Sequence, residues 1–370
     1  VSGAEAGVVQ LAWNANPEPG VAGYILYYGT VPGSYTASVN VGNLTAYAFN
    51  EPQAGRAYFF ALQAYNVLGL GGPLSDEISS TTLTAGNFDG DDRSDLATFR
   101  PTDGTWRVYK TATGTSIAVQ WGSPDDVPVT GDFDGDGKSD IVVFRAAEGM
   151  WFILQSSDNY DTGQAVAIRF GGAGDLPFLG DFDGDGRADL TVYRRSDASF
   201  YVRFASGATT SIRWGTTNDQ PLLGDFDGDR KADFAVYRPS EGRWYVTSSR
   251  YGHTPFGWWS RAWGGLAGDK PVIGDYDGDG ATDLTIFRSS ESKWYVWRSA
   301  GNFMPGNFFA VIWGLAADRP LSADLDGDHR TDIVVFRPSE GRWYVKFSSS
   351  GYATGWAYNW GQSGDVAVAP

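Results

Sequence analysis

A nine-residue pattern, Asp-x-Asp-x-Asp-Gly-x-x-Asp or a close variant, occurs six times in this chain, and each copy runs straight into a short apolar stretch that ends in arginine. The copies begin at residues 87, 132, 181, 225, 275 and 324, as in DFDGDGKSDIVVFR (132 to 145) and DYDGDGATDLTIFR (275 to 288). Carboxylates at positions 1, 3 and 5 of a tight turn converge on one hard cation. Glycine at position 6 permits the bend, the carbonyl of position 7 adds a neutral oxygen, and the aspartate at position 9 closes the shell. The predicted ligands are Asn87, Asp89, Asp91, Arg93 and Asp95; Asp132, Asp134, Asp136, Lys138 and Asp140; and Asp181, Asp183, Asp185, Arg187 and Asp189. The later copies supply Asp225, Asp227, Asp229, Lys231 and Asp233; Asp275, Asp277, Asp279, Ala281 and Asp283; and Asp324, Asp326, Asp328, Arg330 and Asp332. Arg93, Lys138, Arg187, Lys231, Ala281 and Arg330 would act through their carbonyls.

Position 12, where an EF-hand places a bidentate glutamate, is Val143 in the second copy, so the loop joins strands and not helices. Oxygen-only ligands, with no cysteine and two histidines in the chain, favour Ca²⁺ over Zn²⁺. Without a cation, carboxylates packed this closely repel one another. About six Ca²⁺ are expected, one per copy. The first copy opens with Asn87, and position 6 is Asp92, Arg230 and His329 in the first, fourth and sixth copies. A left-handed backbone costs a residue other than glycine something, so the first and fourth sites are expected to be the weakest.

The formal net charge is −16, but 23 of the 44 acidic residues stand at the predicted ligand positions. Six bound divalent ions would leave a charge of about −4, so the acidity belongs to the loops and does not point to a basic partner. The 28 lysines and arginines are scattered, which argues against a nucleic-acid partner. No apolar run approaches 18 residues, so no membrane span is expected. Moderate calcium sites in such number need calcium well above cytosolic levels, and an extracellular, secreted or cell-surface location is expected. The chain opens at Val1 without methionine, which reads as a mature or trimmed piece of a longer secreted protein.

Residues 1–83 hold no copy of the pattern and read as a small all-β unit, with apolar runs at 8 to 16, 23 to 29, 45 to 50 and 57 to 66. From residue 84 the copies start 44 to 50 residues apart, a period that predicts one four-stranded propeller blade per repeat. In the second repeat the strands are expected at 126 to 131, 140 to 145, 150 to 156 and 165 to 171. The chain ends WGQSGDVAVAP, so residues 365 to 369 are expected to pair into the first blade and close a ring of six. The alternative closing strand is TTLTAG at 81 to 86.

Residues 84–370, through DxDxDGxxD and its repeat period, resemble the FG-GAP/VCBS repeats of integrin-like β-propellers, and also certain calcium-containing propeller lectins. Residues 1–83 resemble a fibronectin type III domain: Trp13 on an early strand, GYILYY as the next, and Tyr58 placed like a tyrosine corner before AYN and a glycine-rich turn. The resemblance implies an all-β protein, a six-bladed calcium-binding propeller preceded by a fibronectin type III-like β-sandwich. Its relatives include adhesion receptors, lectins and parts of polysaccharide-degrading proteins.

Each repeat also carries an arginine after the second strand (Arg100, Arg145, Arg194, Arg238, Arg288, Arg337) and then an aromatic residue (Trp106, Trp151, Phe200, Trp244, Trp294, Trp343). A second aromatic precedes the next repeat (Trp121, Phe170, Trp214, Trp263, Trp313, Trp360). Two readings stand: wedges and ion pairs between blades, or a ring of sugar sites. The variable turns hold Tyr251, His253, Trp258, Trp259, Phe303, Tyr352 and Trp356, the candidate ligand-binding residues. Acids outside the loops recur in equivalent turns (Asp103, Glu148, Asp197, Glu241, Glu291, Glu340), whereas a general acid/base pair would be a singular feature. The expected protein is a non-catalytic, lectin-like binder of carbohydrate or a cell-surface glycoconjugate. An integrin-like adhesin for an extracellular protein is one alternative, and a polysaccharide lyase or hydrolase, or its accessory module, is another.

Overall fold

A computed structural model of the chain describes residues 8–16, 20–29, 34–50, 58–75, 78–79, 86–253 and 257–368. The strands of residues 8–79 and those of residues 96–368 form separate sheets and are taken in turn. The alternative closing strand at 81 to 86 lies, but for Gly86, outside the described residues, as does position 57 of the fourth N-terminal run.

In the N-terminal part, Val8–Ala12 pairs with Ala46–Asn50, and Ala37–Gly42, Val21–Gly29, Phe59–Asn66 and Gly71–Leu74 form a second antiparallel sheet to which Ile78–Ser79 adds. Leu11 and Phe49 from the first sheet share a core with Tyr24, Leu26, Val41 and Phe60 from the second, beside buried Tyr58. Trp13 is half-buried and meets Tyr24 edge-on at 5.8 Å. The alternation of Phe60, Leu62 and Ala64 toward this core is the period-2 pattern of a strand with one covered face.

The repeat region forms six four-stranded antiparallel sheets, a propeller-like set with one sheet per aspartate loop. In the second, Val127–Gly131, Asp140–Arg145, Met150–Leu154 and Val166–Arg169 lie side by side in chain order. The burial profile across each sheet follows its sequence. DIVVFR is apolar on both faces between its terminal charges and buried up to its arginine, while the fourth strands, such as Ser116–Gln120 and Phe308–Ile312, alternate exposed and half-buried. First strands of neighbouring sheets approach one another, which makes them the innermost.

The first sheet is completed from the far end of the chain: Val366–Val368 pairs with Leu96–Arg100, next to Thr105–Tyr109 and Ser116–Gln120. Buried Leu96 accordingly packs with Leu321, Val334, Phe336 and Ala367.

Backbone bonds carry the sheets round in sequence. The N–H at loop position 8 donates to the position-1 carbonyl of the preceding loop in Ser139 to Asn87, Ala188 to Asp132, Ala232 to Asp181, Thr282 to Asp225 and Thr331 to Asp275, at 2.6 to 2.7 Å. Ser94 to Asp324, at 2.6 Å, closes the cycle. Close approach at this seam explains the glycine that stands immediately before every loop but the sixth. A Cβ on Gly180 would lie 2.8 Å from Ala232 Cβ, and one on Gly224 would lie 2.7 Å from Thr282 Oγ1.

Candidate metal sites and the aromatic surface

The loop at Asp275 shows how the nine residues are folded. Asp275 Oδ1 accepts from Gly278 N at 2.6 Å and its Oδ2 from Gly280 N at 2.8 Å, while Asp279 Oδ1 accepts from Ala281 N at 3.0 Å. Asp283 Oδ2 accepts from Tyr276 N and its Oδ1 from Ser299 N, at 2.8 and 2.6 Å, which ties the loop to the end of the third strand. Both oxygens of Asp277 are buried with no hydrogen-bond partner. The same holds for Asp227, and for Oδ1 of Asp326. Buried carboxylate oxygens without a donor are costly unless a cation meets them.

Carboxylates gather into five clusters whose atoms lie within 4.8 Å of one another: Asp132, Asp134 and Asp136; Asp181, Asp183 and Asp189; Asp225, Asp227 and Asp229; Asp275, Asp277 and Asp279; and Asp324, Asp326 and Asp332. All-oxygen, acidic donors around orphaned carboxylate oxygens fit Ca²⁺. The count of about six is corrected to about five, one in each sheet but the first. In the first loop Asn87 Oδ1 accepts from Gly90 N and Asp91 N, but its amide nitrogen cannot accept from position 6 as the second aspartate oxygen does elsewhere. Lys110 and Lys138 act on Asp89 in the direction opposite to burial, and Asp89 Oδ1 and Asp91 Oδ2 are buried without a hydrogen-bond partner.

Burial dominates the position-9 aspartates and pushes their carboxyls up, to about 7 for Asp189, Asp233, Asp283 and Asp332 and about 8 for Asp140. Position 9 thus serves the loop as a double backbone acceptor in every sheet. Position-7 residues Arg93, Lys231, Ala281 and Arg330 donate their N–H to the position-5 carboxylate. Asp92, Arg230 and His329 do hold left-handed backbone, with φ of 65°, 68° and 61°. The sequence reading missed position 4, glycine in all six loops and also left-handed, and it missed the serine brackets: Ser249, Ser299 and Ser348 donate Oγ–H to Asp229, Asp279 and Asp328. Both features recur in the sequence at fixed distance and could have been found there.

The recurring arginines and aromatics are structural. Each arginine makes a forked ion pair with a buried aspartate at the lip of a first strand: Arg145 with Asp126, Arg194 with Asp175, Arg238 with Asp219, Arg288 with Asp269, Arg337 with Asp318 and Arg100 with Asp365. Arg145, Arg194, Arg238, Arg288 and Arg337 also lie over a third-strand ring, at 4.2 to 4.6 Å. The first aromatics are fully buried, and indole N–H groups of Trp121, Trp214, Trp263, Trp313 and Trp360 donate to third-strand carbonyls of the next sheet, Trp360 reaching Arg107. The turn acids Asp197, Glu241, Glu291 and Glu340 accept from tyrosine hydroxyls.

The variable turns divide. Phe303 is buried against Trp259 at 5.2 Å, His253 packs on Phe234 at 4.6 Å, and Tyr352 stacks on Phe309 while its hydroxyl donates to the carbonyls of Thr331 and Tyr276. Trp259 is half-buried under Arg261. Tyr251, Trp258 and Trp356 are exposed at 57%, 50% and 65%, joined by Phe308 at 52%. No helix is long and apolar enough to cross a membrane among the described residues.

Among solved structures, the chain is similar to a lectin of Agrocybe aegerita described as recognising non-reducing terminal N-acetylglucosamine, at 17% identity and a TM-score of 0.49 over 75% of this chain and 95% of that one. It is also similar to TolB from Acinetobacter baumannii, at 14% identity and 0.49 over 85% and 80%. Virginiamycin B lyase from Staphylococcus aureus follows at 12% identity and 0.40 over 86% and 95%. No curated protein matches the chain. Residues 132–192 and 275–335 match the FG-GAP-like repeat model, so the chain carries FG-GAP-like repeats within a propeller-like fold.

Proposed function

We propose that this is an extracellular, calcium-stabilised, non-catalytic binding protein: a six-bladed propeller whose outer strands recognise carbohydrate, preceded by a fibronectin type III-like module. The observation that carries the reading is the contrast between two sets of aromatics. The repeated ones are buried and bonded between sheets, whereas Tyr251, Trp258, Phe308 and Trp356 stand exposed on the fourth, fifth and sixth sheets. An exposed ring can lie against the C–H face of a sugar. The candidate contacts are Trp258 and Trp356, with Tyr251 also exposed on the fourth sheet, whereas His253, Phe303 and Tyr352 pack on Phe234, Trp259 and Phe309. The turn acids Glu241, Glu291 and Glu340 are each held by a tyrosine and an arginine, which supports a binding role.

A glycan array probed in millimolar Ca²⁺ tests this directly. Binding to a defined class of sugar, lost in Trp258→Ala or Trp356→Ala, is the expected result. Silence across the array, or binding that neither substitution reduces, overturns it. The exposed aliphatic side chains Ile312 (70%) and Leu315 (53%) favour a protein partner as second reading, for which capture insensitive to competing sugars is the mark.

A further inference from the structure

On the side of the aspartate loops, most seams between neighbouring sheets are filled by one ring from the turn joining the third and fourth strands. Tyr160 fills the seam between the first and second sheets, packing on Phe88 and donating its hydroxyl to the carbonyls of Ser139 and Phe88 at 3.0 and 3.3 Å. Tyr352 does the same between the fifth and sixth, with the carbonyls of Thr331 and Tyr276 at the same two distances. His253 fills the seam between the third and fourth sheets against Phe182 and Phe234, and Phe303 fills the next against Trp259. All four rings sit on long turns with left-handed or 3-10 backbone.

The third sheet has no such turn. Its third and fourth strands, Ser199–Arg203 and Thr209–Arg213, are joined by a tight hairpin in which Phe204 N donates to Ala208 O and Gly207 N to Phe204 O. Its one ring, Phe204, borders the seam with the second sheet but packs against the cluster of Phe182, Phe200 and Phe234 and does not plug it. A cavity of about 110 Å³ stands there, lined by Phe133, Ile153, Val166, Ala188, Arg203 and Ala205 among others. Phe133 and Ala188 occupy loop positions 2 and 8, the positions whose carbonyls accept the tyrosine hydroxyl in the two tyrosine-filled seams. No side chain donates to either carbonyl among the described residues.

We propose that this seam is a binding site for a small phenol, whose ring replaces the missing aromatic plug and whose hydroxyl donates to the carbonyls of Ala188 and Phe133. The cavity is open to solvent on one side and need enclose only part of the ring, whereas a closed apolar cavity of about 150 Å³ holds a whole benzene. The chemistry agrees. The ring meets Ile153, Val166 and Phe133, and its one donor meets two acceptors arranged as they are around Tyr160 and Tyr352. The site is separate from the exposed aromatics of the fourth to sixth sheets and stands or falls independently of sugar binding.

The full chain in Ca²⁺ is titrated with p-cresol and, in parallel, with toluene, following the amide resonances of Ala188 and Ala205. One saturable site with a Kd of about 1 mM is expected for p-cresol. Toluene, which fills the space but donates nothing, should bind at least ~10-fold more weakly. Val166→Trp and Ala205→Trp, two independent ways of filling the cavity, should each remove the response while the calcium-dependent melt is retained. Equal binding of toluene and p-cresol overturns the carbonyl-directed site. Absence of saturation, or p-cresol binding that survives in a folded cavity-filled variant, overturns the site altogether.

Discussion

The backbone N–H of Ser94 donates to the carbonyl of Asp324 at 2.6 Å, so the first aspartate loop hangs from the last. At the far end of the strand Leu96–Arg100, Arg100 Nε and Nη2 grip Asp365 at 2.7 and 3.0 Å, and the aspartate side chain is fully buried. Asp365→Ala leaves Arg100 partly buried without its counter-charge. Breaking such a pair costs about 3–5 kcal/mol, to be read as a shift in the urea midpoint. A midpoint unchanged from the parent protein would mean that the closing strand is held without the pair.

Gly224 faces Thr282 of the next sheet at the seam of the ring. Adding a methyl group places it 2.7 Å from Thr282 Oγ1, so Gly224→Ala should cost about 1–3 kcal/mol by overpacking. Combining it with Thr282→Ala should return part of that loss, and a double-mutant cycle in chemical denaturation measures the coupling. Strict additivity would contradict the proposed clash.

Elemental analysis of the protein dialysed against dilute CaCl₂ should return about five Ca²⁺ per chain, matching the five carboxylate clusters. Asp277→Asn should lower that number by one, because both Asp277 oxygens lie buried without a donor. Excess EDTA should lower the melting temperature through linkage. A melt indifferent to chelation would remove calcium from the account of stability.

Trp294 and Trp356 make a matched pair for mutagenesis. Trp294 is fully buried, and its indole N–H donates to Trp313 O at 3.2 Å, so Trp294→Ala should cost about 3–5 kcal/mol. Trp356 is 65% exposed, and Trp356→Ala should change stability by less than about 1 kcal/mol. If both substitutions destabilise alike, the exposed ring has a packing duty and its candidacy as a ligand contact weakens.

His253 carries the pH prediction. Burial holds its imidazole below the usual histidine value, against the opposing pull of the Thr247 carbonyl and Asp229. The unfolded chain therefore takes up a proton near pH 6.5 that the folded chain refuses, and stability present above that pH is lost as the pH falls toward the folded value. NMR titration should place the His253 midpoint below about 6.5. A midpoint above that value, or His253→Phe leaving the acid side of the stability profile unchanged, would contradict this.

Much of the architecture was legible because the repeat states it six times. The strands read at 140 to 145 and near 150 to 156 appear at Asp140–Arg145 and Met150–Leu154, and the closing strand read at 365 to 369 appears at Val366–Val368. The left-handed positions of Asp92, Arg230 and His329 followed from the glycine they replace. Side-chain pairing within a sheet was harder to see. Asp126 and Arg145 stand 19 residues apart with a strand and a loop between them, so their ion pair is visible only as a recurrent spacing. The fate of Tyr352 and Phe303 was hidden for a different reason: a ring in a glycine-rich turn looks the same in sequence whether it swings outward or tucks into a seam. The loss of the first acidic cluster turned on a single amide in place of a carboxylate at Asn87.

The amide-to-carbonyl relay from loop to loop has no free end. Each turn, with or without an ion, fixes the acceptor on which its successor depends, so the sheets are members of a circuit in which none can relax alone. Loss of one ion should be felt on both sides of its vacated turn, and the unfolding of this region should run as a single event, not as six small ones.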